Sequence, residues 1–275
     1  MSAYDRRVPD GRYRQTVRLG TGLTVSYVAQ GDRFGVPVVL LHAWGESFGC
    51  FDRLLPLLPA TIHAVAMDQR GHGAADKPAH GYTLLDLADD VVAFLDAVGL
   101  SSAVLLGSSS GGYVAQQVAV RAPDRVNGLV LVGSPRSLRG RPSFADDVGR
   151  LTDPVDRAWV TASLQWFPRF HHIPDWYVED RVDDGVRMPA RVWRESLNGL
   201  CSAVPPTDTA TITAPMLIIW GARDGLLSWD DEEALAAAIP GSQLIVYDDT
   251  GHLVLWEQPE RVANDLTDFV KGLSD

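Results

Sequence analysis

A glycine-serine run, Gly107-Ser108-Ser109-Ser110-Gly111-Gly112, holds the pattern G-x-S-x-G with Ser109 at its centre. A serine hydroxyl is a poor nucleophile at neutral pH, so it needs a base, and the base needs a partner to fix its tautomer. Among the seven histidines, His252 stands apart because it follows the last expected strand, in Asp248-Asp249-Thr250-Gly251-His252, and precedes the final helix. Asp224, in Trp220-Gly221-Ala222-Arg223-Asp224, leaves another strand end between the two. Ser109, Asp224 and His252 thus have the types and order of a nucleophile, an orienting acid and a base. The plainer alternative for the serine run is a turn that only links a strand to a helix.

Three residues so far apart in sequence meet only if the elements carrying them end at one sheet edge. The hydrophobic pattern predicts an antiparallel entry, Tyr13 to Arg18 and Thr24 to Gln30, around a Gly-Thr-Gly turn at 20–22. Apolar runs at Val36 to Leu41 and Ile62 to Met67 follow, with a short helical stretch near Cys50 to Leu58 between them. An amphipathic helix begins at Thr83, with a Thr83/Asp86 pair suited to its N-terminus and Gly99 as its stop. A strand from Ala103, a helix from about Gly111 to Ala122 and a strand from Val126 to Val132 continue the alternation. Between Pro135 and about Asp208 the rhythm breaks into short helical patterns, and it resumes with Met216 to Gly221, Asp230 to Ala238, Gln243 to Tyr247 and a helix from about Pro259 to Leu273. One α/β sheet interrupted by an insertion accounts for the order.

Composition narrows the chemistry. The 275 residues carry a formal net charge of −11 and no basic run, which excludes the electrostatic footprint of a nucleic-acid or anionic-membrane binder. Cys50 and Cys201 fit neither C-x-x-C nor a zinc spacing, and the apolar runs are far shorter than the ~20 residues of a membrane helix, so a reducing cytoplasm is the expected address. The adjacent pair His171-His172 shares no helical face, so no metal is expected there, nor any cofactor elsewhere.

The chain resembles α/β-hydrolase-fold enzymes, of the serine carboxylesterase and enol-lactonase type, along nearly its whole length. The resemblance rests on His42-Ala43-Trp44-Gly45, Asp68-Gln69-Arg70-Gly71-His72-Gly73, Gly107 to Gly112, Gly221-Ala222-Arg223-Asp224 and Gly251-His252, in that order. It implies a mostly parallel eight-stranded sheet with helices on both faces, a core of residues 1–134 and 209–275, and a helical cap at 135–208. It also implies a Ser109, Asp224, His252 triad, with Asp248 and Asp249 as the rival acids, and an oxyanion hole made by the backbone N–H groups of Trp44 and Ser110. Where relatives commonly read His-Gly-X, this chain has His42-Ala43-Trp44, and alanine tolerates a positive φ poorly. The segment Asp68 to Gly73 reads as turn and packing chemistry.

Ser109 argues against the dehalogenase and epoxide-hydrolase reactions, whose enzymes place an aspartate at this turn. Ester or lactone cleavage through an acyl-serine is the first expectation. Carbon–carbon hydrolysis of a vinylogous diketone and a receptor-like binding protein with little turnover are the alternatives. Aromatic residues of the insertion and its surroundings suggest an apolar or aromatic substrate lined by Trp44, Trp159, Trp166, Phe167, Phe170 and Leu253, although each ring could equally belong to the insertion's own core. Arg181 and Arg191 offer a partner to a substrate carboxylate, with solvated charge as the plainer role. The expected partner is a small ester or lactone, and the expected assembly a monomer or homodimer.

Overall fold

The computed structural model describes residues 14–140 and 142–273. Within them one sheet is built from β1 (Gln15–Arg18), β2 (Thr24–Gln30), β3 (Val36–Leu41), β4 (Ile62–Met67), β5 (Ala103–Ser108), β6 (Val126–Val132), β7 (Met216–Gly221) and β8 (Gln243–Tyr247). The spatial order is β1-β2-β4-β3-β5-β6-β7-β8. The β1–β2 and β2–β4 pairs are antiparallel, and all pairs from β4 across to β8 are parallel. Tyr13, where the first strand was expected to begin, lies outside the described residues.

The helices are α1 (Leu84–Ala97), α2 (Ser110–Arg121), α3 (Ala145–Gly149), α4 (Arg157–Ser163), α5 (Asp175–Arg187), α6 (Ala190–Ser202), α7 (Pro206–Thr209), α8 (Trp229–Ala238), α9 (Val254–Glu257) and α10 (Pro259–Gly272). Successive strand residues point to opposite faces, so a strand covered on both sides reads as continuously apolar. Val39, Leu41 and Leu105 accordingly join α1, α2 and α8 in one core, while Val38, Leu40 and Leu106 join α10 in the other. Thr83 caps α1 reciprocally with Asp86, as the sequence suggested.

Two elements differ from expectation. The helical stretch near Cys50 to Leu58 is a pair of 3₁₀ turns, Phe48–Phe51 and Leu55–Leu57. Pro56 lacks the amide that a continuous α-helix would need there. The insertion, expected to hold only short helical patterns, contains two helices of 13 residues, α5 and α6. The buried face of α5 includes Arg181 and Asp184 beside Tyr177 and Val182, so charged residues interrupt the apolar period that would have announced it. Residues 135–208 share with Tyr82 an apolar cluster that includes Val160, Val182, Val192 and Trp193. No helix among the described residues is long and apolar enough to cross a membrane.

Candidate active site

The chain turns sharply between β5 and α2. A Cβ on Gly107 would lie 2.3 Å from the Gly112 Cα, and one on Gly111 would lie 2.2 Å from the Leu41 carbonyl oxygen, so both flanking glycines are dictated by close approach. Ser109 between them has φ 49° and ψ −120°, a conformation costing a non-glycine residue roughly 1–3 kcal/mol. Hydrogen bonds from Ser109 N to Val132 O (2.9 Å) and from Gly112 N to Ser109 O (2.9 Å) hold it there. The side chain is thereby projected past the C-terminal edge of the sheet at the start of α2.

The loops after β7 and β8 end at the same edge. Ser109 Oγ lies 3.0 Å from His252 Nε2, and His252 Nδ1 lies 2.7 Å from Asp224 Oδ2. The other carboxylate oxygen of Asp224 accepts from the amides of Leu226 (2.7 Å) and Leu227 (3.0 Å). Asp224 is therefore occupied on both oxygens, and its side chain is fully buried. This arrangement fits a His252 that carries its proton on Nδ1 and offers Nε2 to the serine hydroxyl. The rivals Asp248 and Asp249 are exposed, and Asp249 instead meets His171 and Arg261.

The loop after β3 brings Trp44 to the cavity that Ser109 also lines. Ala43 does not take a left-handed conformation; Gly45 does, at φ 84°, so the strain expected of the alanine is absent. His42 pins the start of the loop, with Nδ1 2.8 Å from Ala43 O and Nε2 accepting from Gln69 N at 3.0 Å. Burial, with His72 and Arg181 adding repulsion, keeps the His42 pKa well below its ordinary value, and so the ring neutral. Glu46 clasps the loop from beyond: its carboxylate accepts from Ala43 N (3.2 Å) and from the Trp256 indole (2.7 Å). Burial pushes the Glu46 pKa up.

The Trp44 amide donates to Ser110 Oγ at 2.7 Å. The Ser110 amide, as the first of α2, has no intrahelical acceptor. The two N–H groups named from the sequence are thus brought beside Ser109, one of them already holding a neighbouring hydroxyl.

A cavity of about 330 Å³ opens over these groups, at the small end of the range for ligand pockets. Trp44, Trp166, Phe167 and Leu253 line it, while Trp159 and Phe170 do not. Trp159 packs behind the wall, edge-on to Trp166 and Trp193. Phe170 is 42% exposed and lies over Gly251, with the Arg223 guanidinium on its face. Both rings have other packing duties, which sequence proximity to Trp166 concealed.

Phe144 and Glu46 were not singled out from the sequence, whereas Phe167 was. Phe144 stacks 4.5 Å from Trp166 and 5.9 Å from Trp44, Trp193 meets Trp44 edge-on at 4.6 Å, and Phe167 stacks on the His252 ring at 5.2 Å. Glu46, Arg139, Arg181 and Asp231 supply charge to a wall that is otherwise largely apolar. Arg191, by contrast, donates to the carbonyls of Lys77 and Pro78 and has no place in the cavity. Arg181 was expected to be solvated or to meet a substrate carboxylate; it is instead buried in an i,i+3 pair with Asp184, a spacing that on helices is usually at the surface.

Asp68 accepts from the amides of Phe48 and Ala74, both at 2.8 Å, which makes it a structural tie beneath the site. Burial raises its pKa to about 7.

A family model described as the alpha/beta hydrolase fold matches residues 36–259. A non-heme chloroperoxidase from Streptomyces lividans is 29% identical, over 94% of this chain and 99% of its own. A pimeloyl-[acyl-carrier protein] methyl ester esterase from Neisseria meningitidis is also 29% identical, over 86% of this chain and 78% of its own. The crystal structure of the enol-lactonase from Burkholderia xenovorans superposes with a TM-score of 0.82 at 21% identity, covering 94% of this chain and 100% of that one, a likeness of fold.

Proposed function

The chain belongs to the α/β-hydrolase fold family, and from that premise we propose that it is a serine hydrolase of carboxylic esters or lactones of small apolar or aromatic compounds. The observation that carries this reading is the continuous hydrogen-bond chain Ser109–His252–Asp224 opening into a largely apolar cavity. The methyl ester esterase relative adds support for ester chemistry, at 29% identity.

In the proposed reaction Ser109 Oγ attacks the substrate carbonyl while its proton passes to His252 Nε2. Asp224 holds the imidazole by Nδ1 and stabilises the imidazolium that forms. The carbonyl oxygen, now an oxyanion, takes hydrogen bonds from the Trp44 and Ser110 amides, which requires the Ser110 hydroxyl to leave the Trp44 N–H. Each such donor contributes about 2.7–4 kcal/mol to the transition state. The ester C–O bond then breaks, the alkoxide receives the proton from His252, and the acyl group stays on Ser109. Water, deprotonated by the same imidazole, hydrolyses the acyl-serine and restores the hydroxyl. In this reading residues 135–208 are the cap, and Phe144, Trp166 and Trp193 shape the space for the substrate.

The test is a stopped-flow assay of the protein and its Ser109→Ala variant on p-nitrophenyl esters from acetyl to octanoyl, with intact mass recorded during turnover. A product burst, a transient acyl adduct and a silent variant are expected. Equal rates from the two proteins, without an adduct, would remove Ser109 as nucleophile.

A further inference from the structure

The segment 167–171 crosses over the loop that carries His252, and Phe167 at its start stacks on the imidazole, with ring centres 5.2 Å apart and planes inclined by 28°. Glu257 holds this segment down. Its Oε2 accepts from the amides of both Phe170 (2.7 Å) and His171 (2.9 Å), while Oε1 finds no hydrogen-bond partner among the described residues. Glu257 is buried at the end of α9, and its own amide donates to the carbonyl of Leu253, the residue after His252, at 3.0 Å. Two further contacts fix the segment. A Cβ on Gly251 would lie 2.9 Å from a ring carbon of Phe170 and 2.9 Å from the Pro168 carbonyl oxygen, so the segment rests directly on the residue before His252. The His171 ring has Nε2 3.0 Å from Asp249 O and 2.9 Å from Gln258 Nε2.

The torsion that orients an imidazole about its Cβ–Cγ bond has broad wells, so the single hydrogen bond at Nδ1 leaves the tilt of the ring weakly set. A base needs more than that. Nε2 must take a proton from Ser109, return it to the leaving oxygen and then take one from water. A flat ring lying on one face restrains the tilt, because rotation drives an edge of the imidazole into it. The contact also strengthens when the imidazole becomes an imidazolium, since the face of an aromatic ring attracts a cation. We propose that Glu257 is a positioning residue for His252: by clamping segment 167–171 through its amides, it keeps Phe167 on the imidazole and holds Nε2 in line with Ser109 Oγ. This rests on the serine-hydrolase reading in taking His252 as the base. Because the clamp acts on backbone amides, this short stretch of residues 135–208 works as part of the sheet edge. Glu257 does not line the cavity, which sets it apart from a bound substrate.

The experiment compares the wild type with Glu257→Ala and Glu257→Gln. Turnover of p-nitrophenyl acetate gives kcat and KM, and proton NMR without substrate follows the low-field resonance of the His252 Nδ1 proton, assigned by its loss in Asp224→Ala. A catalytic group misplaced by about 1 Å costs about a hundredfold in rate, so kcat of Glu257→Ala is expected to fall about ten- to a hundredfold, with KM within about threefold of wild type. Acylation and deacylation both use His252, so kcat responds whichever step limits it. The Nδ1 proton of that variant should exchange with water at least tenfold faster. Glu257→Gln keeps an acceptor oxygen for the two amides and should stay close to wild type in kcat and exchange. Wild-type kcat and exchange in Glu257→Ala, or a raised KM with kcat preserved, overturns the proposal. If Glu257→Ala fails to fold, Phe167→Leu removes the flat ring and leaves the clamp, and unchanged exchange of the Nδ1 proton there overturns it equally. Faster exchange in Glu257→Ala from a wild type that turns over no ester would keep the clamp and discard the esterase; ester turnover with all readings equal would do the reverse.

Discussion

The sheet edge and the inserted segment hold their functional side chains by opposite means. At the edge, backbone does the placing: Ser109 is fixed by a strained turn between two obligatory glycines, and the Asp224 carboxylate by two amides of its own loop. In residues 135–208, side chains place one another, through the Phe144–Trp166 stack that continues onto Trp44 and the Arg181–Asp184 pair. Backbone-set geometry tolerates almost no rearrangement, whereas stacked rings can repack. The edge should therefore govern rate, and the insertion should govern which molecule is accepted.

The sharpest test of the first half is Asp224→Asn. The amide can keep its carbonyl toward the Leu226 and Leu227 amides, which leaves its NH₂ facing His252 Nδ1 and forces the imidazole into the wrong tautomer. Turnover should fall by about four orders of magnitude while the circular dichroism and unfolding midpoint stay close to wild type. A rate within tenfold of wild type would break the claim that this edge sets the chemistry.

The same region contains an acid treated quite differently. Glu232, on α8 within electrostatic reach of Asp224, is fully buried with neither carboxylate oxygen hydrogen-bonded. Burial, reinforced by Asp224 and Asp231, raises its pKa to about 8 from an ordinary 4.5. Because the folded value is the higher one, the folded state holds the proton more tightly. The associated stability is complete below pH 4.5 and is lost as pH climbs through 8. Glu232→Gln should thus match the wild type in urea unfolding at pH 4.5 and be the more stable protein at pH 9, by roughly 3–5 kcal/mol. The same difference at both pH values would mean that the carboxyl is already ionised in the fold. The contrast between the two acids would then lose its basis.

What the sequence made legible divides along the same line. The strands β2, β4, β6, β7 and β8 begin and end where their apolar runs do, and the order of Ser109, Asp224 and His252 along those strand ends is enough to suggest that they meet. Backbone-set features leave a local trace: glycines at close approaches, a turn after an apolar run. The wall of the cavity leaves none. Phe144 and Glu46 look like ordinary residues until the fold brings Trp166 and Trp256 to them, and Trp159 and Phe170 look like pocket rings until it turns them elsewhere. The α5 helix was obscured because its buried face carries a charge pair. Even the expected cost at Ala43 depended on which residue of the loop turns left-handed, and that residue is Gly45.

Trp166→Ala tests the insertion directly. The loss of its stack on Phe144 removes about 1–2 kcal/mol of contact from one side of the cavity, counting the aromatic pair and part of the area it covers. For a p-nitrophenyl ester with a bulky acyl group, KM should rise five- to twenty-fold while kcat changes less than threefold. The acetyl ester, too small to touch that wall, should change little. A fall in kcat with KM preserved would show that the ring contributes to the transition state and would blur the division between the two regions.

The smallest effect is expected where the regions meet. Trp44 belongs to the edge through its amide and to the insertion through its ring, and its N–H is already satisfied by Ser110 Oγ at 2.7 Å. A substrate oxyanion must displace that hydroxyl, so part of the stabilisation gained is offset by a bond given up. An exchanged hydrogen bond is worth about 0.5–1.5 kcal/mol net. Ser110→Ala removes the competitor and leaves both backbone donors in place. It should raise kcat/KM two- to fivefold on the acetyl ester, with the unfolding midpoint slightly lowered by the orphaned amide. If the rate falls tenfold or more instead, the hydroxyl is itself donating to the oxyanion, and the edge then relies on a side chain as well as on its backbone.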